Sequence, residues 1–136
     1  MSFPLRVPQK FYKKITFTGA AGLGAQGTVA VATVTGSVLL THLTARCNVD
    51  LAGASATIEM GVAGNTAALI AQTTATQIDD GEFWQDTSPE LGVSPAITDK
   101  AVEGNIILTV GTADITAGEL EIVGYWLPLS NDGKMT

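Results

Sequence analysis

Residues 38–51 constrain the fold more than any other stretch of the chain. Leu39, Thr41, Leu43, Ala45, Cys47, Val49 and Leu51 recur at every second position, and the residues between them from 42 to 50 are His, Thr, Arg, Asn and Asp. In a strand successive side chains point to opposite faces, so this period predicts one long strand with a buried face and a wet face. Such a strand belongs to an antiparallel sheet, which can show one face to water. Register is then decisive, because a slip of one residue exchanges the two faces wholesale. The expectation is that Leu43, Ala45, Cys47 and Val49 are buried, with His42, Thr44, Arg46 and Asn48 opposite.

The rest of the chain repeats this grammar. Ile15 and Phe17 alternate with Lys14 and Thr16, and the Gly/Ala-rich residues 19–27 read as a flexible loop. Residues 28–35 carry Val29, Val31 and Val34, and the three-residue step from Val31 to Val34 predicts a bulge or a change of sheet. Ala56, Ile58, Met60 and Val62 alternate with Thr57, Glu59 and Gly61, which predicts a hairpin with the long strand before them. Residues 67–76 are ambiguous, Ala-rich enough for a helical turn but Thr-rich at their end. Asp79, Asp80 and Gly81 form a turn, and residues 87–98, with Pro89 and Pro95, read as a long loop.

Two strands close the pattern. Residues 102–110 place Ile106, Leu108 and Val110 on one face. Residues 120–129 place Leu120, Ile122, Gly124 and Trp126 on one face and Val123, Tyr125 and Leu127 on the other. With both faces apolar, this last strand is expected at the centre of a sheet or under a partner. A short echo links Ile78-Asp79-Asp80-Gly81-Glu82-Phe83 with Ile115-Thr116-Ala117-Gly118-Glu119-Leu120: an Ile, a two-residue turn, a Gly suited to positive φ, then a strand start.

About eight strands with turn signals every ~8–12 residues predict an all-β fold, an antiparallel β-sandwich with a jelly-roll-like topology, a small barrel being the second choice. No amphipathic helix of ~10–12 residues competes. The 136 residues suit one domain. It is expected over residues 13–130, preceded by an extended N-terminal arm at 1–12 that contains Pro4 and Pro8 and followed by a tail at 131–136.

Composition narrows the function classes. Mean hydropathy is +0.29, yet no run approaches the ~18 apolar residues of a spanning helix, so no membrane partner is expected. Residues 1–14 lack the apolar core of a standard export signal. Cys47 is the only cysteine, which excludes an intrachain disulfide and suits a small buried hydrophobe made in a reducing cytoplasm. The net charge of −6 is divided: Arg6, Lys10, Lys13, Lys14 and Arg46 all precede Asp50, the first of thirteen acidic residues, after which only Lys100 and Lys134 are basic. A basic arm on an acidic body is expected to dock on something acidic such as a neighbouring copy, and the body itself would repel nucleic-acid phosphates.

Catalytic machinery is not expected. His42 is the only histidine, sits mid-strand on the polar face, and has no Gly-rich elbow to present a nucleophile. Residues 19–27 lack the GK[ST] ending of a phosphate loop. Asp79, Asp80, Glu82 and Asp86 lack calcium-loop spacing and read as a solvated turn, so neither metal nor cofactor is expected. Phe83-Trp84 and Tyr125-Trp126 are the aromatic concentrations outside the arm. They read as core or subunit contact, and alternatively as a platform on which sugars stack.

Gly61-Val62-Ala63-Gly64-Asn65-Thr66, residues 74–84 ending in Gly81-Glu82-Phe83-Trp84, and Ile115-Thr116-Ala117-Gly118-Glu119-Leu120 leading to Tyr125-Trp126-Leu127-Pro128-Leu129 are written in a Thr/Ala/Gly-rich style. That style resembles small tailed-bacteriophage virion proteins of the capsid decoration or cement type. The resemblance implies a jelly-roll-like subunit, often a homotrimer, made in the host cytoplasm and seated on the outer capsid surface against the major capsid or another virion protein. It transfers no catalytic residue. The expected interface residues are Phe3, Leu5, Arg6, Lys10, Phe11 and Tyr12 of the arm with Trp84, Tyr125 and Trp126 of the body. Two rival readings are a carbohydrate-binding sandwich module, which needs Trp84 or Trp126 exposed to a glycan, and another head or tail accessory protein.

Overall fold

The computed structural model describes residues 7–136, so Phe3, Leu5 and Arg6 lie outside the described residues. The fold is an all-β sandwich built from antiparallel pairs. The described residues form twelve strands, and eight of them run four residues or more: β1 (Gln9–Thr16), β2 (Gly27–Ala32), β4 (Ser37–Ala52), β5 (Thr57–Val62), β6 (Asn65–Thr74), β9 (Lys100–Glu103), β10 (Ile106–Gly111) and β11 (Ala117–Pro128). The short strands are β3 (Val34–Thr35), β7 (Glu82–Phe83), β8 (Glu90–Leu91) and β12 (Lys134–Met135). One sheet runs β1-β11-β4-β7-β8, with β9 also paired to β4; the second runs β2-β10-β5-β6; β3 and β12 form a small ribbon.

Strand β4 is the long strand of the sequence, but its buried face is not strictly periodic. Val38, Leu40, Leu43, Ala45 and Cys47 are buried, whereas Val49 is 52% exposed and Leu51 returns to the core. Its register with β11 shows why. Trp126 faces Leu40 and Tyr125 faces His42, leaving Thr41 as an extra residue; Leu120 faces Cys47 and Glu119 faces Val49, leaving Asn48 as another. Each bulge flips the alternation. The expectation thus holds for Leu43, Ala45 and Cys47 and fails for Thr41, the extra residue of one bulge, and for Leu39 and Val49 beyond the bulges, while a third shift between Val49 and Ala52 returns Leu51 to the core.

Cys47 is fully buried, and burial pushes its thiol up to about 11 against an opposing backbone hydrogen bond with Val49, with the charges of Asp50, Asp80 and Asp79 adding to the rise. The native state therefore keeps its proton where the unfolded chain has lost it. That contribution is intact below pH ~9 and is lost as pH rises toward 11. Unfolding free energy should fall by roughly 1–2 kcal/mol across that window, and Cys47→Ala should flatten the slope. At neutral pH the native thiol should resist labelling until the chain unfolds.

The predicted change of sheet after Val31 is present. β2 lies in the four-stranded sheet, while β3, beginning two residues later at Val34, pairs with β12. The predicted hairpin between β4 and β5 is not. At Gly53 the chain crosses to the other sheet, where β5 pairs with β10 and β6. A side chain at Gly53 would meet the Asp114 carbonyl oxygen at 2.4 Å, so the crossing is packed too tightly for anything but glycine. The single strand expected over 102–110 is two strands in different sheets, β9 and β10, divided at Gly104 with φ 92°. Alternation identifies a strand, but it does not name the neighbour.

Residues 9–12 and 134–136 belong to the body more than expected. β1 pairs with β11 from Gln9↔Trp126 to Thr16↔Glu119, with Phe11 and Ile15 in the core. Pro8, having no N–H for the ladder, marks where pairing starts. The arm boundary at residue 12 is therefore corrected: residues 9–12 are strand. Residues 134–136 are held too, since Lys134 and Met135 pair with Thr35 and Val34, and Thr33 and Thr136 exchange N–H···O bonds of 2.8 and 2.9 Å.

Between the sheets, Leu43, Cys47, Leu120 and Ile122 meet Ile58, Met60, Ile106 and Leu108 in one core. Trp84 is 1% exposed, and its indole Nε1 donates to Thr73 Oγ1 at 2.8 Å, tying the segment after β7 to β6 of the opposite sheet. β6 itself is an edge strand that pairs irregularly with β5: Val62 faces Asn65 and Met60 faces Ile70, so residues 66–69 arch over Gly61 alone. A Cβ at Gly61 would lie 2.2 Å from the Asn65 carbonyl oxygen.

Candidate interaction surface

The outer face of the larger sheet is built by the side chains of β1, β11 and β4 that alternate away from the core. Register sets them in rows. Lys10, Tyr125 and His42 lie side by side, as do Tyr12, Val123 and Thr44, and then Lys14, Glu121 and Arg46. Tyr12 is 51% exposed and Tyr125 40%. The His42 and Tyr125 rings meet edge to face, 6.5 Å apart at 89°. Pro8, Thr41, His42, Ala96, Val123 and Tyr125 line a shallow groove of about 590 Å³ here, with Thr44 at its edge.

Thr44 also borders a smaller cavity of about 290 Å³ between Phe83, Trp84 and residues 92–95. Val93 lines it and is 80% exposed, and Leu91 of β8, just before the lining residue Gly92, is 74% exposed. Apolar surface therefore runs from Tyr12 across the groove toward Val93, the kind of continuous patch that marks a contact site. The far end of the face is polar: Asn48 Nδ2 donates to Glu119 Oε2 at 3.1 Å and Glu121 Oε2 at 2.9 Å, and Lys14 Nζ lies 3.7 Å from Glu119 Oε1. The exposed ion pair contributes ~0–1 kcal/mol and helps orientation more than affinity.

The two echoing corners flank β4. Ile78 and Ile115 are both fully buried, and Gly81 and Gly118 have φ of 88° and 116°. Gly81 donates to the Cys47 carbonyl and Thr116 to the Ala52 carbonyl, both at 2.8 Å, so the corners deliver β7 and β11 to opposite edges of the same strand. Carboxylates gather at the first corner, where the Asp80 amide donates to Asp50 Oδ1 at 2.6 Å and the Asp79 amide to Glu82 Oε1 at 2.7 Å. Desolvation and the charges of Asp50 and Glu82 raise the Asp79 carboxyl. Among the described residues no three His, Cys, Asp or Glu side chains are arranged to hold a metal. These acids serve the turn by accepting backbone N–H groups.

Of the residues singled out from sequence, Lys10, Tyr12 and Tyr125 come together on the outer face. Phe11, Trp84 and Trp126 do not; they are 7%, 1% and 7% exposed and belong to the subunit's own core. A sugar platform on Trp84 or Trp126 is thereby excluded. His42 and Val123 were legible only as one face of a strand, and Leu91, Val93 and Ala96 were hidden in a loop whose path no periodicity encodes.

No protein-family model matches the chain, and no curated protein matches it in sequence. Among solved structures, it is similar to a chain of the cyanophage Pam1 capsid asymmetric unit, with a TM-score of 0.57 and 15% identity over 93% of this chain and 91% of that one. At this identity the likeness is one of fold.

Proposed function

We propose that this chain is a phage virion structural protein, a decoration or cement subunit with a jelly-roll-like topology that sits as a homotrimer on the outer capsid surface and stabilises the head by protein-protein contacts. The observation that carries the reading is a fold shared almost end to end with a chain of a cyanophage capsid asymmetric unit. The exposed apolar face around Tyr12, Val123 and Tyr125 supports it, because a decorating subunit needs one surface built for protein and a core that stands alone.

The reading is tested on particles that lack the protein. Added wild-type chain should bind them and raise their resistance to heat. Tyr125→Glu places a charge in the middle of the apolar face without touching the core, and should weaken binding about 30-fold or more, as for a central contact residue. Wild-type protein that ignores such particles, or a Tyr125→Glu protein that decorates them normally, overturns the proposal.

A further inference from the structure

The groove between β1, β11, β4 and the 87–98 loop has an occupant in the chain itself: we infer that it receives residues 1–6 of a second copy. The inference deepens the self-association within the proposed function and rests on that part of it.

Position is the first argument. Pro8 is one wall of the groove, so the preceding residues start at its rim. Six extended residues reach about 20 Å, enough to cross to a neighbour seated against this face. The second argument is chemistry. Met1, Phe3, Pro4 and Leu5 are apolar, and Ala96, Val123 and Tyr125 offer apolar walls with the His42 ring beside them. Pro4 and Pro8 reduce the freedom that a bound extended segment gives up.

The third argument separates a neighbour's groove from the segment's own. Val7 precedes Pro8, which disfavours helical backbone there and opposes a tight helical reversal. Val7 is 69% exposed and stands outside the ladder, which begins at Gln9. A donated segment is also a head-to-tail contact, which closes into a ring when the rotation permits, as a homotrimer requires. The competing receptor for a segment bearing Arg6 is the acidic corner at Asp50, Asp79, Asp80 and Glu82. It is the weaker one, because Asp50 and Glu82 are already engaged by backbone amides.

The test is complementation in solution, without particles. A chain lacking residues 1–6 has the groove and no segment; full-length Tyr125→Glu has the segment and a blocked groove. By light scattering the wild type should exceed the 14.0 kDa monomer, each variant alone should be monomeric, and an equal mixture should form a complex of twice the monomer mass. His42→Asp serves as a second blocked groove should Tyr125→Glu fail to fold, which circular dichroism and Trp84 emission report. A peptide of residues 1–8 added to the truncated chain should shift the NMR signals of His42, Thr44, Val123 and Tyr125. A mixture that stays monomeric, a truncated chain that assembles like the wild type, or peptide shifts confined to the acidic corner each overturn the inference. None of these outcomes depends on capsid binding, which the binding of wild-type chain to particles reads separately.

Discussion

Trp84→Ala should lower the unfolding free energy by about 3–5 kcal/mol, a large share of the ~5–15 kcal/mol that holds a domain together. Trp84 is 1% exposed, and its removal opens a cavity between the sheets that the strands on either side are too constrained to fill. It also strands Thr73, 2% exposed, whose hydroxyl accepts from the indole and donates to the Ala71 carbonyl at 2.9 Å. Trp84→Phe separates the two contributions: most packing is kept and the hydrogen bond is lost, for about 1–1.5 kcal/mol plus a smaller packing loss. Urea unfolding checks both, with a lower midpoint at unchanged slope as the expected result. A midpoint within error of wild type for Trp84→Ala would mean that the indole does not join the sheets.

Two truncations should behave oppositely. Removing residues 1–6 leaves every described strand in place and should leave the fold and stability of the isolated monomer intact. Removing residues 1–12 takes Gln9, Lys10, Phe11 and Tyr12 out of β1 and uncovers the matching half of β11. Burying Phe11 alone contributes roughly 1.5–3 kcal/mol, and the lost ladder exposes an apolar edge beside it. The longer truncation should therefore be destabilised by more than about 3 kcal/mol and aggregate on warming. A well-folded, soluble chain starting at residue 13 would show that β1 is dispensable.

How much of this was legible depends on what each residue reports. The strands were readable because burial writes period two into Leu43, Ala45 and Cys47, and the central place of β11 was readable from its two apolar faces. Partners were not readable: β5 alternates just as it would in a hairpin with β4, and the crossing at Gly53 is set by the nearness of Asp114, about sixty residues away. Bulges escaped for the same reason, since the extra Thr41 and Asn48 exist only relative to β11. In the candidate surface, Tyr125 and Tyr12 were recognisable as large amphipathic side chains. Alternation put Tyr125 and Trp126 on opposite faces of β11, but with both faces apolar it did not say which of the two looks outward; packing does, leaving Tyr125 40% and Trp126 7% exposed. Phe11 was assigned to an arm because Pro4 and Pro8 drew the reading toward an extended tail, although Phe11, Ile15 and Phe17 fall at even spacing on one face.

The arch of residues 66–69 over Gly61 bears on crowding. β6 is a free edge among the described residues, ten residues long, and its sequence from Asn65 to Thr74 contains neither a charge nor a proline. A flat strand of that composition is a template for unwanted pairing and amyloid-like stacking. β1, the edge of the other sheet, is guarded by Lys10, Lys13 and Lys14; β6 is guarded by shape, because four residues spanning the width of one throw its N–H and C=O groups out of step with any straight strand laid beside them. The hydrogen atom that stands for a side chain at Gly61 is what admits the arch. Unwanted pairing at this edge is thus opposed by the smallest residue in the sheet.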